Sequence, residues 1–87
     1  MAYRVRTTPQ FDKPVGALDS VAARRVVAEL AAVESLEDPR SRGRALTGSL
    51  RTYRRYRAGD YRIIVDIRDA DLVVLALAVR HRSQAHR

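Results

Sequence analysis

Arginine occupies four of the seven positions from Arg51 to Arg57 (Arg-Thr-Tyr-Arg-Arg-Tyr-Arg), and Arg62 follows after Ala58-Gly59-Asp60-Tyr61. A guanidinium stays charged and forks onto two oxygens of a phosphate, so this run predicts a surface that holds an anion rather than one built for burial. Both histidines of the chain, His81 and His86, lie in a second arginine-rich segment, Arg80 to Arg87. Cleavage of RNA through its 2′-hydroxyl needs a base for that proton, an acid for the leaving 5′-oxygen and fixed positive charge for the phosphorane. Arginine suits the last role and not the first, because its pKa lies above about 12. The base is then to be sought among His81, His86 and the tyrosines.

Other chemistries find less support. There is no cysteine, and the two histidines are separated by arginine that repels a divalent cation, so neither a metal nor a cofactor is expected. The four glycines are scattered and form no nucleotide-binding turn, and no serine sits in a nucleophile elbow. Net charge is +7 and uneven: residues 1–43 carry +1, residues 44–87 carry +6. The basicity is therefore a property of one part of the surface, as in nucleic-acid binders.

Eighty-seven residues predict one domain, 1–87, with a small core and an open groove rather than an enclosed cavity. Absence of cysteine makes a cytoplasmic location the default. The longest apolar run, Leu72 to Val79, is eight residues, against roughly 20 for a membrane span. The start, Met1 to Arg6, alternates like a strand rather than a signal peptide. A soluble chain without membrane contact is expected.

The elements that must position these groups follow from periodicity. Tyr3, Val5 and Thr7 alternate with Arg4 and Arg6 as a first strand; Thr8-Pro9 starts a short helix that Pro14 and Gly16 limit. A longer helix runs from about Asp19 or Ser20 to about Glu37, with Val26, Val27, Leu30, Ala31, Val33 and Leu36 as its apolar stripe and Glu29 and Glu34 facing water. Residues 40–49 read as a connecting loop whose three arginines, Arg40, Arg42 and Arg44, can extend the basic surface, with Arg40 the one read as merely solvated. Strands over about 50–57, 61–67 and 72–79 form an antiparallel meander, the last two near-continuously apolar as if central or covered on both faces. Alternation puts Arg54 opposite Arg55, as a solvated charge or rim contact, and Arg62, Ile64 and Asp66 on one face. Tyr53, Tyr56 and Tyr61 suit base stacking and sheet packing equally. The order βααβββ predicts an α+β fold.

The stretch Leu50-Arg51-Thr52-Tyr53-Arg54-Arg55-Tyr56-Arg57-Ala58-Gly59-Asp60-Tyr61-Arg62-Ile63-Ile64 resembles the "R-x-R-x-G-D-Y-R-hydrophobic-hydrophobic" core of the RelE/ParE toxin superfamily, and Val79 to His86 is similar to its C-terminal signature. The resemblance implies the RelE-like fold, an antiparallel sheet packed against two N-terminal helices. It implies a toxin of a type II toxin–antitoxin pair that enters the ribosomal A site and cuts mRNA without a metal, inhibiting translation, and whose partner is a RelB-like antitoxin. By the same resemblance Arg55 and Arg57 hold and polarise phosphate, Arg62 contacts the scissile phosphate, and Arg80 serves transition-state charge or the leaving group. His86 falls where many members have a tyrosine and some relatives a histidine acting as general base, and His81 is the fallback base. Arg51, Arg82 and Tyr61 extend the RNA-binding surface. Two alternatives stay open: a ParE-like inhibitor of DNA gyrase without nuclease activity, and a non-catalytic module that binds antitoxin or nucleic acid.

Overall fold

The alternating N-terminal segment forms β1 (Arg4–Thr7) in a computed structural model that describes residues 3–47 and 52–84. Extended Thr8 precedes α1 (Pro9–Gly16), where Pro9 takes a first-turn position with no amide to satisfy. The Thr8 hydroxyl does not cap the helix; it donates to the Ala76 carbonyl at 3.0 Å and ties the helix start to the sheet. In α2 (Ser20–Glu34) the Asp19 carboxylate caps the first turn, accepting from the Ala22 amide at 2.9 Å. This helix stops at Glu34 instead of continuing to Glu37. The Ser35 hydroxyl donates back to the Ala32 carbonyl at 2.7 Å, a local bond that competes with helix propagation.

Its inner face is Val26, Glu29, Leu30 and Val33, all buried, while Val27 is 60% exposed. Two acidic residues expected in water are instead used. Glu29 receives both Arg42 Nε and Nη2, at 2.7 and 2.8 Å, and Glu34 accepts the Val5 amide at 2.8 Å. The second bond occupies a backbone donor of β1, an edge strand that otherwise offers free amides for strand addition.

Five strands pair in the order β1-β5-β4-β3-β2. They include β2 (Arg44–Ala45), β3 (Tyr53–Ala58), β4 (Tyr61–Arg68) and β5 (Val73–His81). The antiparallel meander runs from β2 to β5, whereas β1 lies parallel to β5, so the sheet is mixed. Strand β2 falls inside the segment expected to be a loop, after a 3-10 turn at Pro39–Ser41; a second such turn, Asp69–Asp71, joins β4 to β5. Arg40 is not solvated alone: its guanidinium donates to both oxygens of Asp69 at 3.0 and 2.8 Å, linking the two turns and holding the Asp69 carboxyl below its ordinary range.

Both helices cover one sheet face. Phe11, Val26, Leu30 and Val33 pack there against Tyr56, Ile63, Val65 and Val74, the bulk of the core. Along β4 burial alternates strictly, with Ile63, Val65 and Ile67 inward and Arg62, Ile64 and Asp66 on the uncovered face. The apolar run in β5 is thus not covered twice, and Val73, Leu75 and Ala78 remain half-buried. No helix among the described residues is long and apolar enough to cross a membrane.

Candidate nucleic-acid interface

Strand register assembles the arginines. Arg44 stands opposite Arg55, Arg57 opposite Arg62, and Arg62 opposite Arg80. With the pleat, this puts all five on the face the helices leave bare. Arg44, Arg55, Arg57 and Arg62 line an open groove of about 450 Å³ together with Gly43 and Tyr56. Among the described residues none of these five arginines forms an ion pair, although Arg40, Arg42, Arg68 and Arg82 do. Like charges opposed across strands are destabilising, so the face is electrostatically prepared for an anion. Arg62 is also held in place: its Nη1 donates to the carbonyls of Gly59 and Tyr61, both at 3.1 Å, leaving other N–H groups for a ligand.

The groove wall at Arg44 depends on close approach of two backbones. Gly43 has φ +77°, and a Cβ there would lie 2.5 Å from the Arg55 carbonyl oxygen and 2.6 Å from Tyr56 Cδ1. Only glycine lets this segment lie flat on β3. Arg54 braces it from the other side: its Nε donates to the Arg42 carbonyl at 2.6 Å and its Nη2 to those of Arg40 and Gly43 at 2.8 and 3.2 Å. It is therefore a half-buried clamp on the 39–45 segment and not a free charge or rim contact. Tyr56 completes the brace, its hydroxyl donating to the Pro39 carbonyl at 2.6 Å, and burial pushes its pKa up to about 12. That tyrosine packs and does not stack on a base.

Tyr61 and His81 go elsewhere. They face each other across β4 and β5 on the helix-covered side, with ring centroids 5.3 Å apart and planes at 88°. The sheet thus separates them from the arginines with which the sequence grouped them. His81 Nδ1 accepts from the Ser83 amide at 3.2 Å and lies 2.9 Å from the Ser83 hydroxyl. In the neutral ring the proton is then on Nε2, and the remaining lone pair is engaged. Arg82 sits just past β5, exposed, its amide bonded to the Asp60 carbonyl at 2.7 Å and its Nε 3.8 Å from the Asp60 carboxylate. Arg51 and His86 lie outside the described residues.

Arg44, expected only as one of three loop arginines that extend the basic surface, is the one that register brings into the groove, whereas Arg40 and Arg42 pair with carboxylates. The available signal was the pair Gly43-Arg44, a glycine needed for close approach followed by a cation. For Tyr61 and His81 the signal was simple parity with Arg62 and Arg80.

The chain matches, over residues 5–86, the family described as the ParE toxin of the type II toxin–antitoxin system parDE. Among solved structures it is similar to a chain of the RelBE2 toxin–antitoxin complex from Mycobacterium tuberculosis, with TM-score 0.82, 26% identity, and coverage of 94% of this chain and 100% of that one. Similarity to the archaeal RelE–RelB complex from Pyrococcus horikoshii OT3 reaches 30% identity and TM-score 0.74, over 97% and 99% of the two chains. A substituted form of the E. coli toxin RelE in its free state shares the fold, with TM-score 0.78, 24% identity and coverage of 98% and 87%. No curated protein sequence matches the chain.

Proposed function

The chain belongs to the RelE/ParE superfamily of type II toxin–antitoxin toxins as a RelE-like member, and we propose that it is an endoribonuclease that cuts mRNA on the ribosome and so arrests translation. The observation that carries this reading is the convergence of Arg44, Arg55, Arg57, Arg62 and Arg80, without carboxylate partners among the described residues, on one bare sheet face. In this reading a backbone phosphate lies across Arg57, Arg62 and Arg80, with Arg44, Arg55 and Arg82 holding the flanking strand. The 2′-oxygen attacks phosphorus, its proton passes to a base, and the P–O5′ bond breaks with protonation of the 5′-oxygen. The guanidinium groups bear the charge that builds on the equatorial oxygens. Of the two imidazoles, His81 lies on the other face of the sheet from these arginines, and in this reading His86 is the base. At neutral pH an imidazole of pKa about 6.5 is better matched to that role than a free phenol.

The partner in this reading is a RelB-like antitoxin, the kind of protein found with RelE in the M. tuberculosis and P. horikoshii complexes. An acidic and apolar segment would neutralise the arginine face and cover Ile64, Val73 and Leu75 beside it. The experiment is induction of the chain without its antitoxin, followed by mapping of mRNA 5′ ends on ribosomes. Codon-phased cuts are expected. The ParE sequence match favours a second reading, inhibition of DNA gyrase, and intact mRNA with accumulating double-strand DNA breaks would select it.

A further inference from the structure

A second cleft, of about 200 Å³, opens at the same end of the sheet but on the helix-covered side, bordered by Asp19, Ala22 and Arg25 of the α2 start and by Asp60, Tyr61 and His81. It differs from the arginine groove in kind. Its lining sets one guanidinium, Arg25, against two carboxylates, Asp19 and Asp60, and adds two aromatic rings at right angles. Asp19 is occupied through Oδ1 by the helix cap and Asp60 lies near Arg82 through Oδ1, so each keeps a second oxygen. A site that is nearly charge-balanced, part aromatic, and furnished with both donors and acceptors does not suit a bare phosphate. It suits a flat, neutral heterocycle with hydrogen-bonding edges.

We propose that this cleft binds a guanine base of the RNA whose phosphate lies on the arginine face, an inference that rests on the nuclease reading above. Guanine alone among the bases offers two N–H donors on one edge, which a carboxylate accepts, and the O6/N7 acceptor pair on the other, which a guanidinium reads. The two sites are neighbours in the chain: Tyr61 precedes Arg62 and His81 follows Arg80. Their side chains leave opposite faces of the sheet, and the two faces meet at the hairpin end, where Arg62 Nη1 donates to the Gly59 carbonyl at 3.1 Å. Between the faces stands the turn Gly59–Asp60, which closes the sheet end and carries no side chain at Gly59. Arg25 reaches over it, since a Cβ on Gly59 would lie 3.0 Å from Arg25 Nη1 and 3.2 Å from its Cδ. A nucleotide strand can therefore cross this edge with its phosphate on Arg62 and Arg80 and its base turned under, against Tyr61 and beside Arg25.

The test is amide correlation NMR of the full-length chain titrated with guanosine 3′-monophosphate, cytidine 3′-monophosphate and inorganic phosphate. Phosphate is expected to shift the amides of Arg57 and Arg62. The guanosine nucleotide should in addition shift Ala22, Asp60 and His81, and the cytidine nucleotide should do so about tenfold more weakly, the size of one base-edge contact. Arg25→Gln, an exposed helix position, should abolish the cleft response and preserve the phosphate response. The inference is overturned if both nucleotides and phosphate move the same amides, if the two bases act equally in the cleft, or if only an antitoxin peptide perturbs it. Its failure is separable from that of the nuclease reading, because 5′-end mapping reports cutting whatever the cleft binds, and cleft shifts with guanosine nucleotide would stand even if mRNA stayed whole.

Discussion

Arg54 and Arg55 are adjacent, chemically identical and committed to opposite tasks, which makes the residue scale the sharpest place to separate stability from function. Arg62→Ala removes a fixed positive charge from the proposed phosphate site and should lower cleavage by about 10²–10³-fold, the usual cost of losing one transition-state donor. Its thermal midpoint should change little, since the side chain is bonded only to the carbonyls of its own turn. Arg54→Ala should do the reverse. It strands three carbonyls that now accept from a charged donor, at a cost of about 2–3 kcal/mol in denaturant unfolding. Tyr56 adds a pH signature. Its phenol titrates near pH 10 when unfolded and at about 12 in the fold, so its contribution is complete below the unfolded value and lost as pH climbs through the folded one. Unfolding free energy should therefore fall between about pH 10 and 12, by about 3 kcal/mol from this group. Tyr56→Phe should flatten that decline without abolishing it, because the Tyr3 phenol is also raised, chiefly by its hydrogen bond to Asp69. The positions of Arg55, Arg57 and Arg62 on one face were legible from parity alone. The role of Arg54 was not, because parity gives the face of a side chain and says nothing of the carbonyls waiting there.

Among the elements, β2 decides how complete the groove is, and β2 was invisible in the sequence. Two residues, Arg44 and Ala45, carry no period, and what makes them a strand is tertiary: the Arg54 and Tyr56 bonds from β3 and the Glu29–Arg42 pair from α2. By contrast α1, the Asp19 cap and the β3–β4 hairpin were written locally, in Thr8-Pro9, Asp19-Ser20 and Gly59-Asp60, and all stand close to where the sequence put them. The α2 stripe was read correctly at Val26, Leu30 and Val33 but too wide around them. Val27 and Ala31 look apolar enough to be inside, yet the chain buries Glu29 because Arg42 can neutralise it. Such pairing is a long-range fact that composition does not encode. Gly43→Ala tests the element directly. A left-handed φ of +77° costs a non-glycine residue about 1–3 kcal/mol, and the added Cβ cannot coexist with the Arg55 carbonyl. We expect β2 to lift from β3, seen as faster exchange of the Leu46 amide that now donates to the Tyr53 carbonyl. Weaker RNA binding should accompany it as Arg44 leaves the groove.

At the scale of the whole molecule the fold sorts its surface by layer: two helices bury one sheet face, and the charge is left to the other. The net charge of +7 acts on an anionic polymer through the five arginines of the bare face, unpaired among the described residues, rather than through its sum, because Arg40, Arg42, Arg68 and Arg82 have carboxylates beside them. This distinction is measurable. A single-stranded ligand that engages Z phosphates loses affinity with salt at a logarithmic slope of about −0.7Z, so five engaged arginines give about −3.5. With a 2′-deoxy oligonucleotide, which binds but lacks the attacking hydroxyl, that slope can be read without cleavage. Arg57→Gln or Arg62→Gln should each reduce it by about 0.7, whereas Arg40→Gln, which loses the pairs with Asp69 and Asp38, should leave it unchanged. If all three variants shift the slope equally, the chain attracts nucleic acid by overall charge, and the bare sheet face has no special claim to the phosphate.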